Sequence, residues 1–332
     1  MQSVRRLIPE ATLLVYTADS PTPTTNDSFD LVPAHQVGLS RFLHHAFAHP
    51  PVGFCCRLKP CIVLDALERT GAERVLYLDN DIILYRRPVE ALEALTKTDF
   101  LLTPHILGSV PDGSLPNEAV IRPYGTWNAG MFGVRDCADA RVVLKWWDRM
   151  MSTPSNIRPE SGWDQPWLDF IPSFLSRVTL LRHPGYNVGP WNLAERPITQ
   201  GPTGWLAGDA PLTAFHFSWF DVENPDAFLR LGSTCNLIPN EALRALGREY
   251  ATSLLAARRD HETGLDYAYS RFSDGAAILP EHRAAFRDKH WYRVSADSDP
   301  FNATWRATLM KDRPHLLHRA LHRLRRMMLA TP

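Results

Sequence analysis

Short apolar runs of strand length punctuate the first 235 positions: residues 12–16 (TLLVY), 74–78 (RVLYL), 100–103 (FLLT), 131–134 (MFGV), 178–181 (VTLL) and 213–219 (TAFHFSW). Several are partly β-branched, and each is too short for a buried helix, so they are expected to be buried strands. Between them, residues 58–70, 89–96 and 137–151 carry helix-forming stretches. The first of these is expected to hold Pro60 in its opening turn and to stop at Gly71. Residues 3–8 look like the tail of a helix broken at Pro9, and the Pro-, Thr- and Asn-rich stretch 20–28 reads as a loop, as does 105–124. Strand, helix and strand alternating at this spacing predict an α/β fold with a mostly parallel sheet flanked by helices. Beyond about 236 the pattern changes to a helix at 241–259, then polar and aromatic segments, then a basic helical end. The expected division is therefore 1–235 and a mainly helical extension, 236–332. No internal repeat is visible.

Composition narrows the function classes. A chain of 332 residues with 45% hydrophobic content can bury a large core. Its 36 basic and 36 acidic residues cancel, which argues against nucleic acid as a partner. Five cysteines, with no Cys-x-x-Cys pair, fit free thiols in a reducing cytoplasm better than a disulfide framework or a structural zinc site. The first ten residues lack the apolar run of a signal peptide, and no stretch reaches the ~18 apolar residues of a membrane helix. A cytoplasmic location is expected.

The chemistry is concentrated after the strand at 74–78. Asp79 and Asp81 follow it directly. Residues i and i+2 of a strand point the same way, so both carboxylates can face one point at a strand end, where open α/β sheets bind ligands. Two such carboxylates repel each other, and a divalent cation removes the conflict. Oxygen donors suit Mg²⁺ or Mn²⁺. An Asp-x-Asp spacing also serves local backbone bonds in turns. His216, in the apolar run Phe215-His216-Phe217, is the natural third ligand, though a lone histidine on an apolar strand is often simply a core residue.

From here the residues resemble a family. Lys59-Pro60, a helix, and Tyr77-Leu78-Asp79-Asn80-Asp81-Ile82 look like the metal-site region of bacterial GT-A glycosyltransferases with an Asp-x-Asp motif, members of the nucleotide-diphospho-sugar transferase superfamily. Further blocks follow in the same order: Leu102-Thr103-Pro104-His105, Trp127-Asn128-Ala129-Gly130-Met131-Phe132, Trp163-Asp164-Gln165-Pro166-Trp167, Gly185-Tyr186-Asn187-Val188 with Trp191-Asn192, and Phe215-His216-Phe217-Ser218. The resemblance spans residues 5–235. It implies a Rossmann-like GT-A domain that transfers a sugar, of hexosyl type and with retention, from a nucleoside diphosphate sugar to a glycan, lipid or other acceptor in cell-surface polysaccharide or glycoconjugate synthesis. It implies a metal on Asp79, Asp81 and His216, and donor contacts from Lys59, Asp79, Asn80, Asn128, Ala129 and Gly130. Asp164 and Gln165 would sit beside the reacting centre. Two departures stand out. Relatives carry a first strand before the segment matching Val4 to Thr17, so that strand is expected to be missing here. Trp219 stands where relatives have a small residue, which would reshape the donor site.

Each assignment has a plainer counterpart. Lys59 could be a solvated charge at a helix start, Asp164 a cap, and Trp163, Trp167 and Trp191 core residues rather than sugar platforms. The alternatives for the whole chain are a catalytically inactive nucleotide-sugar binder and a metal-dependent phosphohydrolase of the haloacid dehalogenase kind. Residues 313–329 interleave arginines and histidines with Leu317, Leu321, Leu324 and Met328 at helical spacing. They read either as an interfacial helix that docks on anionic lipid at the cytoplasmic membrane face, or as an ordinary surface helix packed on the domain or on a partner.

Overall fold

The computed structural model describes residues 1–19, 24, 25, 29–156, 163–230, 232, 233, 235–259 and 267–311. The proposed interfacial helix at 313–329 lies outside the described residues. The fold is mixed α/β, with a sheet flanked by helices. Its main sheet holds four strands in the order Arg74–Leu78, Trp127–Arg135, Phe100–Pro104, Val178–Leu180.

The sheet corrects the expectation of mostly parallel strands. Trp127–Arg135 runs antiparallel to both neighbours, and only the Phe100–Pro104 and Val178–Leu180 pair is parallel. The strands at 74–78 and 100–104 do run in the same direction, as a helical crossover requires, but the later strand is inserted between them. The reason lies in its composition. The segment WNAGMFGV is buried along its whole length, so it needs hydrogen-bonded neighbours on both edges and apolar partners on both faces.

Strand alternation assigns those faces. Phe100, Leu102, Phe132 and Val134 face a cluster with Val63, Leu67, Val143, Leu144 and Trp147, which come from the helices Pro51–Thr70 and Ala138–Met151. Leu101 and Met131 face the other way, toward Ile8, Ala91 and Leu95. A two-stranded antiparallel ribbon, Ile82–Leu84 with Ala214–His216, adjoins this second cluster. Helix Glu241–Arg259, at the bounds the periodicity predicts, packs Leu243, Leu246 and Tyr250 against Phe215, Phe217, Phe220 and Phe228. The Phe217 and Tyr250 rings stack 3.7 Å apart.

The helix that carries Lys59 is longer than its sequence suggests. It runs Pro51–Thr70, with Pro51 in the first turn and Pro60 inside, and it ends on Gly71 at φ 64. The left-handed cap at Gly71 is as expected. The upstream extension is driven by Phe54, Leu58 and Cys61, which are spaced along one face and buried in a shared cluster. Among the described residues no helix is long and apolar enough to cross a membrane. All five cysteines are free thiols.

Candidate metal centre

The site forms where the main sheet meets the ribbon. Strand 74–78 ends beside Met131, and the next residue, Asp79, donates its backbone N–H to the Gly130 carbonyl at 2.8 Å. A tight turn follows, closed by Ile82 N–H to the Asp79 carbonyl at 3.1 Å. The chain then enters the ribbon, where Ile82 pairs with His216 and Phe217 N–H reaches the Asp81 carbonyl at 2.9 Å. That register sets His216 against Asp81. Phe215 and Phe217 turn into the core behind, as strand alternation requires.

Asp79, Asp81 and His216 each present one ligand atom, all within 4.8 Å of one another. His216 Nε2 lies 3.0 Å from Asp81 Oδ1. Burial is the largest influence on the Asp81 pKa and raises it, but the His216 ring, the backbone N–H of Asp81 and Lys59 together outweigh it and hold the carboxyl below its usual range. Tyr77, two residues before Asp79 on the same strand face, donates its hydroxyl to Asp79 Oδ1 at 2.9 Å.

Lys59 anchors the other side. Its Nζ is 3.2 Å from both Asp79 oxygens, 3.0 Å from Asp164 Oδ2 and 3.1 Å from the Ala129 carbonyl. Two of these are hydrogen bonds, to Asp79 Oδ2 and the Ala129 carbonyl, and the Asp164 carboxylate is an ion-pair neighbour. Burial works against its charge, yet Asp164 and Asp79 push its pKa well above normal. Asp164 is 2% exposed, and its pKa is raised by burial and by Asp79, with Lys59 opposing. Lys59 therefore is not a solvated charge at a helix start: it sits mid-helix and buried, because the helix begins at Pro51.

The block Asn128-Ala129-Gly130 is a bulged stretch of the central strand. Leu102 pairs with Phe132, and the next residue, Thr103, pairs with Asn128. The bulge withdraws backbone groups from the ladder, and side chains of the predicted site take them up. Gln165 Oε1 accepts from Ala129 N–H at 3.0 Å, and Asn128 Oδ1 accepts from Gly130 N–H at 2.8 Å. Thr103 Oγ1 donates to the Met131 carbonyl at 2.6 Å. The Asn128 amide also donates to His105 Nε2 at 3.1 Å. The need for a small residue at Gly130 has a local cause: a Cβ there would lie 2.4 Å from His216 Cε1. Asn80, between the two aspartates, is exposed.

The donor set fits a hard divalent cation. Two carboxylates and an imidazole converge; of the three carboxylates Asp79, Asp81 and Asp164, Lys59 pairs with Asp79 and Asp164, and Asp81 lies beside His216. A divalent ion would offset the negative charge that three carboxylates and one ammonium leave.

No family model matches the chain, and no curated protein matches it. Among solved structures it is similar to the crystal structure of a glycosyltransferase involved in the glycosylation of the major capsid of PBCV-1. The identity is 14%, over 73% of this chain and 100% of that one, with a TM-score of 0.36. A likeness that distant leaves the function to the residues of the site.

The three tryptophans differ. Trp163 packs on the helix at Gly53, where an added Cβ would meet its ring at 2.4 Å. Trp167 joins Trp146 and Phe170 in an aromatic group. Trp191 is 7% exposed and sets its ring edge-on to His216 at 5.0 Å. Trp219 is 44% exposed, in a left-handed conformation at φ 60. Sequence reasoning missed Tyr77 and His105. The first was within reach, because Tyr77 lies two residues before Asp79 at the end of the strand that leads into it.

Proposed function

We propose that the chain is a metal-dependent glycosyltransferase of GT-A type, moving a sugar from a nucleoside diphosphate sugar to a glycan or glycolipid acceptor. The observation that carries this reading is the convergence of Asp79, Asp81 and His216 beside the buried Lys59–Asp164 pair. The ordered sequence blocks supply the reaction class; the geometry supplies a reason for each residue.

Asp79, Asp81 and His216 would hold the ion. A bound Mn²⁺ or Mg²⁺ supplies positive charge against a diphosphate leaving group. Lys59 serves as a strut: it donates to the Asp79 carboxylate and the Ala129 carbonyl and pairs by charge with Asp164. Gln165 and Asn128 hold the bulge at 129–130 in the shape that admits the His216 ring. Asp164 and Gln165 are thus assigned as positioning residues. Asn80, exposed between the ligands, is free to meet the donor.

Thermal unfolding with Mn²⁺ and a panel of nucleoside diphosphates tests the donor site. A ligand at ~100 times its dissociation constant adds about 2.7 kcal/mol to the folded state. For a chain of this size that raises the midpoint by a few degrees. A metal-dependent rise with one nucleotide, lost in Asp81→Asn, supports the reading and names the base. No rise with any nucleotide counts against it.

A further inference from the structure

One surface of the protein carries apolar side chains that neither the core nor the metal centre uses. The helix Ala138–Met151 turns Val143, Leu144 and Trp147 into the core, yet its outer face also holds Val142 and Trp146, one turn apart. Two short helices, Gln165–Phe170 and Ile171–Phe174, repeat the pattern. Leu168 and Ile171 are wholly buried, while Trp167, Phe170 and Phe174, spaced by three and four residues, form the adjoining face. Trp146 is the hub of the resulting ridge. Its ring lies 6.1 Å from Trp167, 5.8 Å from Phe170 and 4.8 Å from Phe174. Phe170 stacks on both Trp167 and Phe174. Trp146 and Trp167 rest partly on the core, which gives the ridge a firm base.

The outer side chains are wet. Val142 is 65% exposed, Phe170 49% and Phe174 48%. With the part-exposed indoles the patch shows roughly 300–500 Å² of apolar surface, which is large for a monomer. Size and charge indicate what covers it. A stable contact with a second copy or another folded protein takes about 800 Å² from each partner, more than the patch offers. A lipid surface needs no matching shape, because aromatic rings enter the headgroup region one by one. Beside the ridge stand Lys145 and Arg149, both exposed and neither in an ion pair among the described residues. Most acidic groups around them are engaged: Asp148 with Arg57, Asp136 with Arg141, Asp99 with Arg135 and Arg177, and Asp169 with the Thr126 N–H. Asp139, in the first turn of the helix, opposes them. Aromatic rings flanked by free cations match an anionic headgroup layer.

We infer that this ridge seats the protein on an anionic lipid surface, with Trp146, Trp167, Phe170 and Phe174 entering the headgroup region and Lys145 and Arg149 meeting the lipid phosphates. The inference does not depend on the transferase reading.

Flotation of the full chain with vesicles tests it, using phosphatidylcholine alone and phosphatidylcholine with about one-third phosphatidylglycerol, at ~0.1 M salt. Two variants are compared. Phe170→Ser with Phe174→Ser cuts the ridge down; Lys145→Gln with Arg149→Gln discharges its flank and leaves the rings in place. All four positions are exposed, so both variants should keep the native circular dichroism. The native chain is expected to float with the anionic vesicles, and its binding to fall about tenfold or more in each variant. Both variants retain the basic segment 313–329, so the loss belongs to the ridge. A native chain that does not float, equal flotation with phosphatidylcholine alone, or undiminished binding in either variant overturns the assignment. Sedimentation equilibrium covers the rival occupant: a native dimer that becomes a monomer in the serine variant would give the ridge to a second copy and overturn the lipid assignment.

Discussion

Lys59 Nζ lies 3.0 Å from Asp164 Oδ2, with the two side chains 6% and 2% exposed. An ion pair so dry is balanced on both partners, and removing one strands the other. Lys59→Met should therefore cost about 3–5 kcal/mol in urea unfolding, because Asp164 is left buried without its cation and Asp79 loses its brace. Adding Asp164→Asn to Lys59→Met should recover part of that loss, giving a coupling well outside additivity. Costs that simply add would show that the two groups do not act as a pair.

Gly130 and His216 compete for the same space. Gly130→Ala places a Cβ where the imidazole stands, with Asn128 Oδ1 only 2.8 Å away on the other side. The ring is expected to move off Asp81, so Mn²⁺ affinity should fall by about tenfold or more while the circular dichroism of the fold is kept. The overpacking itself should cost about 1–3 kcal/mol. Native Mn²⁺ affinity by titration calorimetry would mean that His216 is not a ligand.

His105 gives a pH dependence with a defined sign. Its Nδ1 donates to the Gly125 carbonyl at 2.9 Å, and its Nε2 accepts from the Asn128 amide at 3.1 Å. Burial, with His216 nearby, lowers its pKa to about 4, although hydrogen bonds to the Gly125 and Thr126 backbone and to Gln165 favour the charged ring. A proton on Nε2 would set two donors face to face. The unfolded histidine titrates near 6.5, so the contribution is whole above that value and is lost as pH falls from about 6.5 toward 4. It amounts to about 3 kcal/mol. Burial lowers His45 well below its usual value, and it acts in the same direction. Urea midpoints at pH 7.5, 6 and 5 should fall steadily, with a shallower slope in His105→Gln. Flat midpoints would contradict this.

What the chain disclosed beforehand was local. The strand at 74–78 and the Gly71 cap each depend on neighbours within a few residues and were legible; Asp79 and Asp81 were expected to share a strand face, but they lie in a tight turn closed by Ile82 N–H to the Asp79 carbonyl, and it is the turn that brings them together. The central position of 127–135 could not be read, because strand order is set by which edges a fully buried strand satisfies. The start of the helix that carries Lys59 was misplaced for a related reason. Pro60 imitates a helix start, and only the burial of Phe54 and Leu58 reveals that the helix began a turn and more earlier. The roles of Gln165 and Asn128 were hidden because the bulge they serve is a tertiary feature.

The most direct test of the central claim is release of nucleoside diphosphate from a panel of nucleoside diphosphate sugars, followed with purified chain, Mn²⁺ and a mixture of glycan acceptors. One donor should be consumed with sugar appearing on an acceptor, and the release should stop on chelation and in Asp81→Asn. Turnover that persists in Asp81→Asn, or no release from any donor by a chain that binds Mn²⁺, would contradict the account.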